Sequence, residues 1–468
     1  MPSSRRDFLR QSGCALGAAA LLSGLDQFGL INAFAQSGTD ALTGYKALVC
    51  IFLSGGNDGN NMVIPIDDYT SYSNARNASG LALPQANLQA LNALPTPQIN
   101  GTHFGFHPSM PELKDLFNQN KLAVLCNVGT LVQPLTKAQY QSGSSSNPKP
   151  YQLFSHSDQV TQQQTSVSLT PAQSGWGGRT ADSLNGVNAG AALPQVISIA
   201  GVSLFTTGEL TRPLAISDSN TSLSQVLVLN GSDANKATMQ QLRALDNDSV
   251  LVKANSDTTN QSVQTSQALS SANPPAMVFP NTSIGRQLKQ VANLISLRGT
   301  LGLNRQIFFC SLGGFDTHGV QLATQATLLQ QVSQAMKAFY DATLALGVDQ
   351  QVTTFTLADF GRTFQPAGSG AAQVGSDHGW GNHQLIMGGA VLGGNFYGRP
   401  TSNGTFVPTL VTGTGDDTDT RGRFIPSVSV EQYAATLARW YGLAEADIPL
   451  VFPNIVNFPS GSNLGFMM

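Results

Sequence analysis

The chain has 468 residues, of which 41% are hydrophobic and only 11% are charged, and its formal net charge is −3. This length and apolar content allow one large domain with insertions, or two or three smaller ones. Because no basic stripe follows the first ten residues, the composition excludes the usual basic surface for nucleic-acid binding.

The N-terminus carries the pattern of an export signal. Two adjacent arginines, Arg5 and Arg6, precede a short apolar run and an A-x-A cleavage site that ends at Ala35. This combination is typical of a signal read by the twin-arginine translocation machinery, and the apolar run is too short for a stable membrane span. We expect a signal over residues 1–35 and a periplasmic or secreted mature protein over residues 36–468.

The first apolar run, residues 46–53 (KALVCIFL), predicts a strand that is buried on both faces, as in a parallel sheet. It leads directly into a glycine-bracketed segment that contains Asp58. Open α/β sheets bind ligands at the carboxyl ends of their strands, which makes Asp58 a candidate site residue. An ordinary Asn-Asp-Gly turn is the alternative.

Farther along, Ser109 and Glu112 have the spacing of a helix capping box, and residues 121–128 (KLAVLCNV) predict another buried strand. Ser155 and His156 follow a loop rich in Ser, Gly and Asn. Ser155 is a candidate nucleophile or bridging hydroxyl, although composition alone favours a helix N-cap at this position.

Arg179 lies in the segment SGWGGRTAD, where it would either clamp an anionic group or pair with Asp182. Residues near 200–280 are rich in Ser, Thr, Asn and Gln, and we interpret them as an insertion or cap over the sheet. A helix is expected from residue 285 to 298.

Two more predicted strands are followed by acidic and histidine residues that are candidates for a site. Residues 305–312 are followed by Asp316 and His318, and residues 352–357 are followed by a polar loop with several charged groups. That loop contains the residues Asp359, Arg362, Asp377, His378 and His383. Since parallel strands end at one edge of a sheet, we expect Asp58, Asp316, His318, Asp377 and His378 to lie along it. Mixed carboxylate and imidazole groups suit a divalent cation. A polar loop with surface histidines is the alternative.

Two helices complete the predicted elements. Residues 322–346 form a long apolar-faced pattern that stops at Gly347. Residues 430–441 form the closing helix, with Ser429 and Gln432 as a capping box and Gly442 at its end.

The motifs GGNDG, LFSHSDQ, SGWGGRTAD, GGFDTH, DFGRT and DHGWGNH occur in this order. Together they resemble a bacterial family known only as domain of unknown function 1501, many of whose members carry twin-arginine signals. That family in turn resembles the alkaline phosphatase and sulfatase superfamily. The resemblance covers nearly all of the mature chain and implies a doubly wound α/β domain, with a mainly parallel central sheet and helices on both faces.

The resemblance also implies a ligand set for one or two divalent ions (Zn, Mn, Mg or Ca). Carried over residue by residue, one ion would be bound by Asp58, Asp377 and His378, and the other by Asp316, His318 and His383. Ser155 would be the nucleophile. The spacing from Asp316 to His318 is tighter than in phosphatases, and no sulfatase-type Cys-x-Pro-x-Arg segment is present.

We therefore expect an exported metal-dependent hydrolase that acts on a phosphate or sulfate ester of a small molecule or polysaccharide. Arg179 or Arg362 would neutralise the anionic oxygens, and with a single ion His156 or His383 would transfer a proton. One alternative is a non-catalytic exported protein that retained the fold as a binding or assembly module. Another is a structural metal that closes the loop from Asp377 to His383.

Overall fold

The computed structural model describes residues 44–94, 102–226, 250–270, 272–370, 373–458 and 462–468, together with the single positions 42, 99, 237, 238 and 241. The predicted export signal over residues 1–35 lies outside the described residues and stays a prediction. The proposed division into a signal, one α/β domain and an insertion near 200–280 likewise stays a prediction. No helix among the described residues is long and apolar enough to cross a membrane.

The strands, in chain order, are β1 (Lys46–Leu53), β2 (Val63–Pro65), β3 (Gln89–Ala90), β4 (Phe104–Phe106), β5 (Leu122–Gly129), β6 (Val196–Ser198), β7 (Leu214–Ala215), β8 (Arg305–Leu312), β9 (Val352–Ala358), β10 (Arg362–Ala367), β11 (Gly375–His378), β12 (Asn382–Met387), β13 (Phe396–Tyr397) and β14 (Val428–Ser429).

The α-helices are α1 (Gly59–Met62), α2 (Tyr69–Arg76), α3 (Pro111–Asn118), α4 (Lys137–Ser142), α5 (His156–Thr165), α6 (Trp176–Ser183), α7 (Val250–Ser270), α8 (Ser283–Ser296), α9 (Gln321–Ala345), α10 (Val430–Tyr441) and α11 (Ile448–Val451). Short 3₁₀ helices cover Gln85–Asn87, Asn185–Asn188, Leu204–Thr206, Leu223–Gln225 and Pro453–Asn457.

The central sheet has the strand order β13-β5-β12-β9-β1-β8-β6-β7, with β14 paired to β5. Strand β1 runs parallel to both β8 and β9, whereas β12 is antiparallel to both β5 and β9. The sheet is therefore mainly parallel, as the sequence predicted. The smaller strands form a two-stranded hairpin, β10-β11, and a three-stranded sheet, β2-β4-β3.

Strand β1 shows why its sequence is apolar throughout. Val49 and Ile51 pack into the core shared with α8 and α9, whereas Leu48, Cys50 and Phe52 pack into the core shared with α6 and α10. Helices thus cover both faces of the sheet, and a strand buried on both faces favours apolar side chains at successive positions. The predicted doubly wound α/β fold is confirmed.

The elements that surround the sheet follow local signals with one exception. Both bonds of the predicted capping box between Ser429 and Gln432 are present at the start of α10. The predicted box at Ser109 and Glu112 is wrong, because Met110 occupies the N-cap of α3 and the Glu112 carboxylate accepts a hydrogen bond from Ser333 Oγ at 2.6 Å. The tertiary contact with α9 has replaced the local one.

The polar segment after β9 is also different from the loop that we expected. It forms the hairpin β10-β11 and the sheet strand β12, and Asp359 and Arg362 within it are almost completely buried. Their charges are accommodated because each makes several hydrogen bonds, which is the condition for burying a charge without a large penalty.

Candidate metal centre

The carboxyl ends of β1, β8 and β9 meet at one level, because Leu53 is in register with both Leu312 and Ala358. The loop after β1 then crosses very close to the loop after β8. Gly55 has φ +113°, and a Cβ at this position would lie 2.3 Å from the backbone nitrogen of Asp316. A glycine is required for this approach, which brings the loops of three parallel strands together.

Three ligand atoms converge above these strand ends. His156 Nε2, Asp316 Oδ1 and His378 Nε2 all lie within 4.8 Å of one another. They come from the first residue of α5, the loop after β8 and the last residue of β11. His318 approaches the same group, with its Nε2 3.2 Å from Asp316 Oδ1 and 2.9 Å from His378 Nε2.

Hydrogen bonds on the far side of two rings define which nitrogen carries the proton. His156 Nδ1 lies 2.7 Å from Asp359 Oδ2, and His378 Nδ1 lies 2.7 Å from the backbone oxygen of Phe154. Both oxygens can only accept, so each Nδ1 donates, and each ring in its neutral form presents a lone pair at Nε2. Partners of this kind orient the histidine ligands of metal sites.

His318 follows the same rule, since its Nδ1 lies 3.2 Å from Asp377 Oδ1. In the neutral form of the ring, its Nε2 lone pair faces that of His378 at 2.9 Å, which is a repulsive arrangement unless a proton is shared or a cation binds to both nitrogens. Among the described residues, the buried His156 Nε2 also has no hydrogen-bond partner. The cluster as a whole presents acceptor atoms toward a common point.

The spacing of these atoms fits a small cation. Two ligands about 2.1 Å from a tetrahedral ion are roughly 3.4 Å apart. The distances from Asp316 Oδ1 to the Nε2 atoms of His156 and His378 are 3.3 and 3.5 Å. Nitrogen-rich donor sets of this kind favour Zn²⁺ and related ions over Mg²⁺ or Ca²⁺.

Neighbouring arginines keep the carboxylates of the site charged. Burial alone would raise the pKa of Asp316, but the hydrogen bond and positive charge of Arg362, 2.9 Å away, outweigh it and lower this pKa. The same balance lowers the pKa of Asp377, where Arg421 Nη2 lies 2.7 Å from Oδ2. Burial lowers the pKa of His378 and the charge of Arg362 adds to this effect, while the hydrogen bond to Phe154 opposes it; the ring is therefore neutral near pH 7, as a ligand requires.

Asp58 lies on a buried network rather than in the cluster. Its Oδ2 accepts hydrogen bonds from Arg76 Nη1 and Gln321 Nε2, both at 2.6 Å, and its Oδ1 accepts from Arg76 Nη2 and the backbone of Asn60. The side chains of Asp58 and Arg76 are both completely buried. The Asp58 carboxylate is thus fully bonded by protein groups.

His383 is also separate from the cluster. It lies on β12, where its Nδ1 accepts a hydrogen bond from the backbone nitrogen of Asn127 at 3.3 Å. Burial lowers its pKa to about 4, although the negative charge of Asp58 opposes this shift. The structure therefore brings together Asp316, His318, Asp377 and His378 with His156, but not Asp58 or His383.

The candidate nucleophile Ser155 occupies the N-cap position of α5, between Phe154 and His156, which both contact the cluster. Its hydroxyl makes no capping bond and instead donates to Asp158 Oδ2 at 2.6 Å. Rotation about its Cα–Cβ bond would release this hydroxyl. Its catalytic role stays a prediction.

Arg179 makes contacts of a structural kind. Its guanidinium donates to the backbone oxygens of Thr165, Ser174 and Val451. The alternative pairing with Asp182 is wrong, because the Asp182 carboxylate accepts from backbone nitrogens of residues 209–211. These contacts of Arg179 hold separate segments of the chain together. Of the two arginines that the sequence analysis proposed, Arg362 contacts the cluster, through Asp316.

Sequence reasoning missed several residues of the site. It assigned His156 to proton transfer and not to metal binding, and it assigned no role to Asp359, Arg421 or Arg423. Asp359 directly follows β9, so the strand-end rule that selected Asp316 would also have selected it. The two arginines reach the site from a loop far along the chain, and no local pattern identifies them.

Fold and site together define an α/β protein with a candidate His/Asp metal centre at the carboxyl edge of its sheet. A family model described as "Protein of unknown function (DUF1501)" matches residues 45–412, and the chain belongs to this family. The resemblance to this family that we drew from the motifs is thereby confirmed. The comparison with curated proteins finds no match.

Several solved structures are similar to this chain. Ps i-CgsB in complex with k-i-k-neocarrahexaose is 9% identical, with 88% of this chain and 76% of that chain covered and a TM-score of 0.33. The PsFucS1 sulfatase from Pseudoalteromonas sp. is 9% identical, with 79% and 68% covered and a TM-score of 0.30. The C-terminal periplasmic domain of EcEptC from Escherichia coli, in complex with Zn, is 9% identical, with 75% of each chain covered and a TM-score of 0.31. At these TM-scores the similarity carries no argument about activity.

Proposed function

We propose that this protein is an exported metal-dependent hydrolase of phosphate or sulfate esters. The observation that carries the proposal is the pair of facing Nε2 atoms of His318 and His378, 2.9 Å apart and 3.2 and 3.5 Å from Asp316 Oδ1. A cation at this point would convert the repulsion between lone pairs into binding energy. His156 Nε2, which lies 3.3 Å from Asp316 Oδ1, completes the donor set.

The contacts support one ion and not two. His156, Asp316 and His378, with His318 beside them, supply enough donors for a tetrahedral site. Asp58, which a second ion would need, already accepts four hydrogen bonds from protein groups. Among the ions that the sequence suggested, this donor set favours Zn²⁺.

When bound, such an ion supplies Lewis-acid polarisation of an ester oxygen. Ser155 is the nucleophile that we assign, because its neighbours on both sides contact the cluster. Arg421 is the cation best placed to meet an anionic substrate, since its side chain is 39% exposed and lies at the edge of the site against Asp377. The side chain of Arg362 is 0% exposed, so its role is to hold Asp316 in place.

The proposal is tested by measuring the Zn, Mn, Mg, Ca and Fe content of the purified protein and its hydrolysis of an aryl phosphate and an aryl sulfate, with and without chelator. We expect about one equivalent of metal and chelator-sensitive hydrolysis of one of the two esters. Bound metal without hydrolysis of either ester would favour a structural ion. Neither metal nor hydrolysis would favour the binding or assembly module.

The nucleophile is tested separately with Ser155→Ala, and Ser157→Ala is the matched control because it removes an exposed hydroxyl two residues away. We expect Ser155→Ala to abolish turnover while metal content stays unchanged, and Ser157→Ala to retain both. Full activity of Ser155→Ala would show that the assignment is wrong, without affecting the metal centre.

A further inference from the structure

A strained turn lies immediately before α5. The backbone nitrogen of Ser155 donates to the oxygen of Gln152 at 3.2 Å, which makes Phe154 the third residue of a four-residue turn. Phe154 has φ +71°. Turns with a positive φ at this position normally use glycine or asparagine, because a Cβ is strained there. A bulky aromatic residue in this conformation is unusual, and such outliers cluster at functional sites.

The strained peptide touches the candidate metal centre directly. The backbone oxygen of Phe154 accepts the hydrogen bond from His378 Nδ1 at 2.7 Å, which is the contact that leaves the lone pair of His378 on Nε2. The carbonyl can be reached by His378 only while the turn keeps its present form. The local strain and the orientation of the metal ligand are therefore coupled.

The side chain of Phe154 is held on two sides. Its ring packs against the apolar cluster formed by Leu131, Trp380, Ile425 and Phe458. The guanidinium of Arg423 lies over the same ring, 5.1 Å from its centroid, at a distance that permits a cation–π interaction.

Arg423 also contacts His378 itself. Its Nε donates to the backbone oxygen of His378 at 2.9 Å, and its Nη1 pairs with Asp419. One side chain thus lies against both the residue that accepts the hydrogen bond and the histidine that donates it. Arg423 therefore links the ring of Phe154 to the peptide of His378.

We propose that Phe154 is a positioning residue for the metal centre, and that Arg423 locks it against His378. Packing of the aromatic ring stabilises the strained backbone conformation. Glycine would adopt this conformation with less strain, but it has no side chain to hold the turn in place. The held carbonyl keeps the His378 ring in the tautomer and orientation that present Nε2 to an ion. This inference rests on the ion of the proposed function and does not depend on hydrolysis.

The test is the dissociation constant for Zn²⁺, measured by competition with a chromogenic chelator on the purified protein. Phe154→Gly relieves the backbone strain and keeps the carbonyl, yet it removes the ring that holds the turn. We expect Zn²⁺ binding to weaken by about 10- to 100-fold, as for the loss of other groups that orient metal ligands. Phe154→Tyr keeps the ring and should restore affinity to within about threefold of wild type.

Leu153→Ala is the matched control, because Leu153 packs against the same apolar cluster and the structure gives it no contact with His378. We expect its Zn²⁺ affinity to stay near that of wild type, even where its melting temperature falls. Equal losses in Phe154→Gly and Leu153→Ala would overturn the proposal in favour of general packing, as would unchanged affinity in Phe154→Gly. A wild-type protein that binds no Zn²⁺ would overturn both this inference and the proposed ion, whereas binding without ester hydrolysis would overturn only the proposed function.

Discussion

His318 Nε2 and His378 Nε2 face each other at 2.9 Å, and each ring has its other nitrogen hydrogen bonded to an oxygen acceptor. At this distance the repulsion between two lone pairs is relieved either by one proton shared between the nitrogens or by a cation bound to one side of both. Because His156 Nε2 also lies 3.3 Å from Asp316 Oδ1, our proposal assigns a metal ion to this cluster of acceptor atoms. The following expectations depend on this arrangement.

Replacing a ligand should remove the ion. For His378→Ala we expect Zn²⁺ affinity to fall by more than about 100-fold, which exceeds the usual effect of groups that only orient a ligand. His103→Ala is the control, because His103 is an exposed histidine that pairs with Asp67. Metal content per folded molecule checks both variants, and retention of metal by His378→Ala would contradict the site.

Asp359→Asn should weaken the site without removing a ligand. Asp359 Oδ2 accepts from His156 Nδ1 and its Oδ1 accepts from the backbone of Gly55, so an amide cannot satisfy both donors. We expect about a 10- to 100-fold loss of Zn²⁺ affinity. Asp341→Asn is the control, because Asp341 is exposed and pairs with Lys337. We expect this variant to bind Zn²⁺ as wild type does. Equal affinities in the two variants would mean that Asp359 does not orient His156.

Asp58→Asn separates a structural role from metal binding. The variant leaves the fully buried Arg76 without its negatively charged partner, and breaking such a pair lowers the free energy of unfolding by about 3–5 kcal/mol. We expect a markedly lower melting temperature but an unchanged Zn²⁺ content per folded molecule. Loss of Zn²⁺ from molecules that remain folded would restore Asp58 to the ligand set.

Glu431 predicts a pH dependence of stability. Burial raises its pKa to about 7, with hydrogen bonds and the charge of Arg179 opposing the shift only in part. Above pH 4.5, the usual value, the unfolded chain releases this proton while the folded protein keeps it until about pH 7. The contribution of Glu431 to the free energy of unfolding is therefore present at low pH, and it is lost as the pH rises through 7.

The variant Glu431→Gln imitates the protonated form and should remove this loss. We expect little gain in the free energy of unfolding near pH 4.5 and a gain of up to about 3 kcal/mol above pH 7. Melting temperatures measured from pH 4.5 to pH 8 check the trend. Glu445→Gln is the control, since Glu445 is exposed and pairs with Arg439. A gain that does not increase with pH would be inconsistent with the raised pKa.

Part of the site could be predicted from the sequence. Asp316 and His318 follow β8 directly, and Asp377 and His378 lie in one short motif, so the strand-end rule identified them. The grouping of these residues with His156 in a single cluster could not be predicted, because it depends on which loops cross each other. Gly55 lets the loop after β1 pass within contact of Asp316, and this crossing places Asp359 under His156.

The sequence by itself determined the elements: the apolar runs at residues 46–53 and 305–312 became strands with those bounds, and the capping box at Ser429 began its helix. Burial of a strand on both faces and helix capping depend on residues that are close in sequence, so local patterns predict them. Only the tertiary structure decided that Asp58 pairs with Arg76 and that Phe154 orients His378. These contacts join side chains and carbonyls whose meeting depends on the strand order and on the loops between the strands.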